Sequence, residues 1–253
     1  MHPIIDYPLF GVVVSFVALW LSVRVGASAR KARSLEGHER EDFGFILTAS
    51  LTLLVLIIGF TFSVAVGRYD QRKNYEEAEA NAIGTEYVRA SLLPAADAAR
   101  VRTLLRSYLE QRILFYQTRD DNQLRQIDAT TAQLETDLWS AVQAPATAQP
   151  NALTGLAISG MNDVLNSEGY TQAAWLYRIP IEAWGLMGAI AVCCNVLIGY
   201  GAHRTKAKGL LFLVLPLLMS ISFFLIADID TPRRGLIRVI PQNLTSLSQD
   251  LQR

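Results

Sequence analysis

Four stretches without a charged residue constrain the fold of this 253-residue chain more than any other feature. They cover residues 7–23, 43–67, 183–202 and 209–227. Each is long enough, or nearly so, to cross about 30 Å of hydrocarbon as a helix. A soluble helix needs a polar face and rarely stays uncharged over a stretch as long as residues 43–67. The sequence therefore predicts an all-α, multi-pass protein with four transmembrane helices in the lipid bilayer of a cell membrane.

Composition excludes several classes of protein. Hydrophobic residues make up 51% of the chain, which argues against disorder. Lys and Arg number 23, as do Asp and Glu, so there is no net positive field to bind nucleic acid. The adjacent Cys193 and Cys194 cannot link distant segments, and His2, His38 and His203 lack metal-ligand spacing. Because no Ser/His/Asp set, HExxH motif or Gly-rich phosphate loop occurs, we expect neither an enzyme nor a metal or cofactor.

Residues 68–180, between the second and third spans, form a helical insert exposed to water. Apolar residues recur there at helical spacing, including a seam at Leu124, Ile127, Thr131, Leu134, Leu138 and Ala141. Breaks at Pro94, at residues 144–150 and around Gly169 predict about four helices. The absence of proline from residues 68–92 predicts that the second span continues as one long helix. The predicted divisions are therefore residues 1–67, 68–180, 181–227 and a C-terminal segment, 228–253.

Basic residues near the span ends bear on orientation. The two short loops carry eight: Arg24, Arg30, Lys31, Arg33, Arg40, Arg204, Lys206 and Lys208. The opposite side carries seven near the span ends: Arg68, Arg72, Lys73, Arg178, Arg233, Arg234 and Arg238. The positive-inside rule places the short loops in the cytoplasm, and both termini and the insert outside.

One face of the second span is small and polar. It comprises Thr48, Thr52, Gly59, Ser63, Gly67 and Asp70, with Leu56 and Val66 at its edges. Small residues four apart allow close helix packing in lipid. The same face is suited to line a water-filled path, where hydroxyls and backbone dipoles replace part of the hydration of an ion. Both interpretations remain open at this stage.

Polar residues also lie in the last two spans and after them. Asn195 is placed to form an interhelical hydrogen bond in the third span, with direct contact to an ion as the alternative. At the end of the fourth span, charged residues are expected at the same depth as Arg68 of the second. These are Asp228, Asp230, Arg233, Arg234 and Arg238. They predict either an ion-pair clamp between helices or a charged vestibule that attracts an anion.

Four motifs resemble the bacterial bestrophin-like family. They are GFTFS at residues 59–63, RYD at 68–70, EANAIGTEY at 79–87 and DIDTPRRG at 228–235. The order of two spans, a helical insert and two spans is similar as well. The resemblance implies a bacterial inner-membrane protein related to pentameric anion channels, in which the second helix of each subunit lines the pore. It also implies a cytoplasmic insert, the opposite of the charge rule, and Asp70 would repel anions unless it is paired or protonated.

The sequence thus favours a homo-oligomeric channel for small inorganic ions, anion-selective by resemblance, with the second span at its axis. The alternative is a membrane-anchored sensor or interaction protein that uses residues 68–180 as a ligand- or partner-binding bundle. We expect the carboxylates of Glu76, Glu77 and Glu79 to form a solvated helix face or oligomer contacts.

Overall fold

The computed structural model describes residues 8–32, 37–201 and 211–252. Its helices are α1 (Pro8–Ala32), α2 (Gly37–Arg89), α3 (Ala95–Gln117), α4 (Asp121–Ala148), α5 (Ala152–Leu176), α6 (Ile181–Gly201), α7 (Leu211–Asp230) and α8 (Gln242–Asp250), with a 3-10 turn at Ala90–Leu92. No strand occurs among the described residues, and the all-α prediction is confirmed.

Some predicted features lie outside the described residues. They are the ends of the charge-free stretches at residues 7, 202 and 209, the loop residues Arg33, Arg204, Lys206 and Lys208, and two histidines, His2 and His203. The orientation that rests on those loop residues stays a prediction.

Four helical stretches are long and apolar enough to cross a membrane, which confirms the predicted four spans. They are Leu9–Arg30, Glu39–Leu92, Ala152–Gly201 and Phe212–Asp230. The third includes α6, which holds the charge-free window at residues 183–201. Within the second, the charge-free part ends at residue 67, and the rest of α2 is rich in charged residues.

The chain divides into two compact units. The first, which we call the apolar unit, comprises Met1–Gly67 and Arg178–Ile237. The second, the helical unit, comprises Arg68–Tyr177 and Arg238–Arg253. Because α2 runs from Gly37 to Arg89, it contributes residues to both.

In the apolar unit, α1, α6 and α7 pack on one another, and Leu54 of α2 joins their core. The crossing of α1 and α6 is very close at two glycines. A Cβ atom on Gly26 would lie 1.9 Å from the Val196 carbonyl oxygen, and one on Gly199 would lie 2.0 Å from that of Val23. Only glycine allows the two backbones to approach this far, as small residues do in other membrane helix pairs.

The core of the helical unit is built by α2 to α5 and α8. It includes Ile83, Leu105, Leu138, Met161 and Leu244, all buried. In the predicted seam of α4, Ile127, Thr131, Leu138 and Ala141 are buried, and Leu124 and Leu134 pack against the core. The seam therefore faces the interior along the length of α4.

The predicted break at Gly169 is wrong. Helix α5 is continuous from Ala152 to Leu176, and Gly169 lies on its exposed side with open space around it. A single exposed glycine costs a helix only about 1 kcal/mol relative to alanine, which the packing of α5 readily offsets. The predicted break at residues 144–150 occurs at the end of that stretch, where α4 ends at Ala148 and Asn151 caps α5, so Pro145 lies inside α4.

Candidate functional site

Within the apolar unit, α2 has one buried side and one exposed side. Leu54, Thr61 and Ala65 are buried, and steps of seven and four residues keep them on one side of the helix. The residues predicted to line a pore lie opposite, at about 100° of rotation per residue. Of these, Thr48, Thr52, Leu56, Gly59, Ser63 and Gly67 are exposed and Val66 is half-buried; Asp70, in the helical unit, is exposed as well.

Compared with the other spans, α2 is buried least by its own chain. In the apolar segment of α2 only 6% of the residues are buried, whereas in that of α7 the buried share is 39%. Large apolar side chains of this span are exposed too, among them Val55 and Phe60 beside the polar face and Phe45 in line with Ser63. Within the polar face, the Thr52 hydroxyl donates a hydrogen bond to the Thr48 carbonyl at 2.9 Å, which satisfies its proton inside the helix.

The carboxylates at the end of α7 accept hydrogen bonds from backbone amides. Asp228 Oδ1 accepts from Leu236 N at 2.7 Å, and Asp228 Oδ2 accepts from Ile237 N at 2.8 Å. Asp230 accepts from Ile179 N at 3.0 Å. Both side chains are buried, and these bonds fix the turn after α7 and the segment before α6. The sequence of two acidic residues followed by arginines gives no sign that backbone amides are the partners of these carboxylates.

The arginines of the predicted vestibule differ in exposure. Arg234 is exposed and Arg233 is half-buried in the apolar unit, while Arg68 and Arg238 are half-buried in the helical unit. Gly235, which follows Arg234, allows a tight turn after α7, because a Cβ atom there would lie 2.3 Å from the Asp228 carbonyl oxygen.

Asn195 of α6 is fully buried, and its side chain contacts α7. Its amide nitrogen donates to the Ala191 carbonyl at 2.8 Å and to Met219 Sδ of α7 at 3.1 Å. Its Oδ1 has no hydrogen-bond partner among the described residues. The contact to Met219 is interhelical.

In the helical unit, carboxylates of α2 are buried rather than solvated. Glu76 and Glu79 are 1% and 0% exposed, so the expectation of a solvated face is wrong for both, while Glu77 is exposed. Glu76 accepts from Leu244 N at 3.0 Å and from Asn243 Nδ2 at 2.7 Å. A carboxylate at the first turn of α8 satisfies free amides and complements the helix dipole.

Glu79 lies at the centre of a buried ion-pair network. The fully buried Arg112 of α3 donates from Nε to Glu79, and its Nη1 lies 3.4 Å from Glu168 of α5. Tyr116 and Thr171 donate hydroxyl hydrogen bonds to Glu79 at 3.3 and 3.2 Å. Burial is the largest single influence and opposes the charge of Arg112, but Glu79, Tyr108 and Glu168 together outweigh it and raise the guanidinium pKa above its ordinary value.

A third buried carboxyl group of α2 is Glu86. Neither of its oxygens has a hydrogen-bond partner in the part of the chain that the structure describes. Desolvation by burial raises its pKa to about 8, with Arg89 opposing the rise and Asp163 adding to it. The group is therefore mainly protonated at neutral pH.

Metal ligation finds no support among the described residues, in which no three His, Cys, Asp or Glu side chains are arranged to hold an ion.

The family model described as a bestrophin-like domain matches residues 9–244, nearly the whole chain. This chain belongs to the bestrophin-like family. A search of curated proteins gives no sequence match.

Solved structures resemble this bestrophin-like protein along its length. A crystal structure of a bacterial bestrophin homologue from Klebsiella pneumoniae, in a leucine-to-threonine form, matches with a TM-score of 0.65 and 12% identity, over 95% of this chain and 97% of that one. A tryptophan-to-alanine form of the homologue gives 0.65 and 12%, over 96% and 95%. A crystal structure of a membrane protein gives 0.66 and 12%, over 96% of each chain. At such identity, the matches show a shared fold.

In this bestrophin-like protein, residues of the motif at 79–87 pack inside the helical unit. Glu79 and Glu86 are its buried carboxyl groups, and its last residue, Tyr87, accepts a hydrogen bond on its hydroxyl from Arg106 at 2.6 Å. The guanidinium groups of Arg102 and Arg106 lie 5.3 and 5.4 Å from the Tyr87 ring centre. The motif thus connects α2 to α3 by polar contacts.

Sequence reasoning missed Arg112. A signal was present, because Leu105, Tyr108, Leu109, Arg112 and Phe115 follow the helical period of a single buried face. An arginine on such a face needs a buried carboxylate as its partner.

Proposed function

We propose that this bestrophin-like protein is a homo-oligomeric ion channel, selective for small anions such as chloride, with its pore lined by the exposed polar face of α2. The observation that carries the proposal is the division of α2 into a buried side at Leu54, Thr61 and Ala65 and an opposite exposed side with hydroxyls and glycines. A charge-free span buried so little by its own chain is suited to face other copies and a shared axis.

Two further arguments support an ion pathway. Exposed hydroxyls at Thr48 and Ser63 and the bare backbone at Gly59 and Gly67 offer dipoles to a passing ion. Family membership supports the same class of function, and five copies are expected by resemblance to bestrophins. For anion selectivity, the arginines at positions 233, 234 and 238 supply positive charge beside the membrane.

The test uses the purified full chain in liposomes. We expect flux with chloride salts, and a reversal potential in a salt gradient that gives the sign of the ion. Thr52→Leu or Ser63→Leu should lower conductance, because each adds apolar bulk on the polar face. Val64→Leu is the matched control, since Val64 is also exposed but lies off that face. Absence of flux in both chloride and potassium salts would exclude the channel.

Asp70 provides a second test of the sign of the ion. A carboxylate on the same face repels anions, so Asp70→Asn should raise chloride conductance. A fall in chloride conductance, or a rise in cation conductance, would contradict anion selectivity at this face.

A second candidate function is a membrane-anchored sensor. The observation that favours it is the separate core of the helical unit with its buried Glu79–Arg112–Glu168 network. A monomer in detergent whose helical unit is stabilised by a ligand, with no ion flux, would support the sensor over the channel.

A further inference from the structure

Helices α3 and α4 of the helical unit face each other across a set of polar side chains, which we call the polar seam. Its members are Tyr108 and Arg112 on α3 and Asp128, Thr131 and Glu135 on α4. Each has a buried polar atom without a hydrogen-bond partner among the described residues: Tyr108 Oη, Arg112 Nη2, Asp128 Oδ1, Thr131 Oγ1 and Glu135 Oε1. Native proteins leave few such atoms unsatisfied, so five on one pair of helices require an explanation.

The positions of these residues bring them together. Helix α3 ends at Gln117 and α4 begins at Asp121, so the two form an antiparallel hairpin and pack along their length. Residues at similar distances from the turn lie at the same level of such a hairpin, which places Arg112 and Tyr108 at about the level of Asp128 and Thr131. Spacings of four on α3, and of three and four on α4, keep each set on one helix face.

Negative charge exceeds positive charge around the seam. Arg112 is paired with Glu79 of α2, which also accepts from two hydroxyls, so this pair is balanced. Glu168 of α5 has a longer contact to the same guanidinium and a hydrogen bond from Gln172. Glu135 and Asp128 add two carboxyl groups. An uncompensated buried carboxylate is unstable unless it binds a cation or takes up a proton.

The arrangement favours a proton over a metal ion. The guanidinium of Arg112 already lies within the cluster and repels a second cation. Among the described residues, no three acidic, His or Cys side chains are arranged to ligate a metal. In contrast, Tyr108 and Thr131 carry hydroxyls that both donate and accept, and such groups are commonly bridged by buried water.

We propose that the polar seam, together with the adjoining Glu168 of α5, is an internal proton-binding site, in which Glu135 and Glu168 exchange protons with solvent through water that bridges the seam. Asp128 and Glu135 are only half-buried and give solvent access, while Glu168 is buried. Binding of protons at the seam makes the stability of the helical unit depend on pH. The proposal does not rest on ion conduction along α2.

The charged groups that act on Glu135 of α4 come from α2, α3 and α5. Burial is the main cause that raises its pKa, to about 7, followed by repulsion from Glu168; Arg112 opposes the rise and Glu79 adds to it. Burial likewise raises the pKa of Glu168, opposed first by Arg112 and increased by Glu79 and Asp128. Tyr108 stays neutral, because burial raises its pKa well above the ordinary value for a tyrosine.

The test is unfolding of the full chain in detergent as a function of pH. A raised pKa means that the folded state holds protons that the unfolded state has released, so stability falls as pH rises. The unfolding equilibrium constant should rise by up to about tenfold per pH unit for each such proton, between about pH 5 and pH 7. Glu135→Gln and, separately, Glu168→Gln should each reduce this slope, and infrared difference spectra should lose a protonated carboxyl band.

Glu110→Gln is the matched control, because Glu110 is exposed on α3, and its slope should equal that of the wild-type chain. Equal slopes in the wild type, Glu135→Gln and Glu168→Gln would overturn the proposal. Stabilisation by sodium or calcium at constant pH that is lost in Glu135→Gln would overturn it as well, since the seam would then bind a metal cation.

Discussion

Gly160 of α5 lies directly against the carboxyl group of Glu86 on α2. A Cβ atom on Gly160 would be 2.0 Å from Glu86 Oε2 and 2.7 Å from Arg89 Nη1. The glycine therefore provides the space in which a fully buried carboxyl group fits between two helices.

Replacing Gly160 by alanine should destabilise the helical unit. The added methyl group overlaps the Glu86 carboxyl, and overpacking of this kind costs about 1–3 kcal/mol. Chemical denaturation of the full chain in detergent measures the loss. Gly155→Ala is the matched control on the same helix, because Gly155 has open space around it, and alanine there should be neutral or stabilising. Equal destabilisation by both changes would show that the contact with Glu86 is not the cause of the loss.

Glu86 should make the protein less stable at high pH. Its pKa is raised from 4.5 to about 8 by burial, so the folded state keeps a proton that the unfolded state loses from about pH 4.5 upward. Stability therefore falls as pH rises and levels off above pH 8. Glu86→Gln should remove this part of the fall and unfold at a higher temperature than the wild type near pH 9, as followed by circular dichroism.

Glu77→Gln supplies the comparison for Glu86, because Glu77 is exposed on the same helix. Its thermal unfolding should follow the wild-type pH curve. If Glu86→Gln follows that curve too, the buried carboxyl does not titrate as the structure indicates.

The glycine crossing of α1 and α6 should tolerate no side chain. Gly26→Ala or Gly199→Ala places a methyl group within about 2 Å of backbone atoms of the partner helix, so the helices must separate. We expect lower thermal stability and a smaller folded yield in detergent. Gly188→Ala on α6 has open space and should behave as the wild type; an unchanged stability for Gly199→Ala would contradict the close crossing.

The spans and the helical character of the insert follow from local sequence. The charge-free stretches are recognised from their length and hydropathy alone. The row of apolar residues on α4, from Leu124 to Ala141, is recognised from its helical spacing alone. The close approach at Gly26 was not predictable, because it depends on where α6 crosses α1. Likewise, Glu76 and Glu79 resemble surface carboxylates until Leu244 and Arg112, far away in sequence, are known to face them.

Substitutions on the two sides of α2 should differ in their effect on stability, and therefore in how freely they can accumulate in related sequences. Leu54 and Ala65 contact the core, so substitutions there change stability and are restricted. Thr48, Thr52 and Ser63 contribute few contacts within the chain, and surface substitutions of that kind usually change stability little. Selection can therefore alter the exposed side of this helix without loss of the fold.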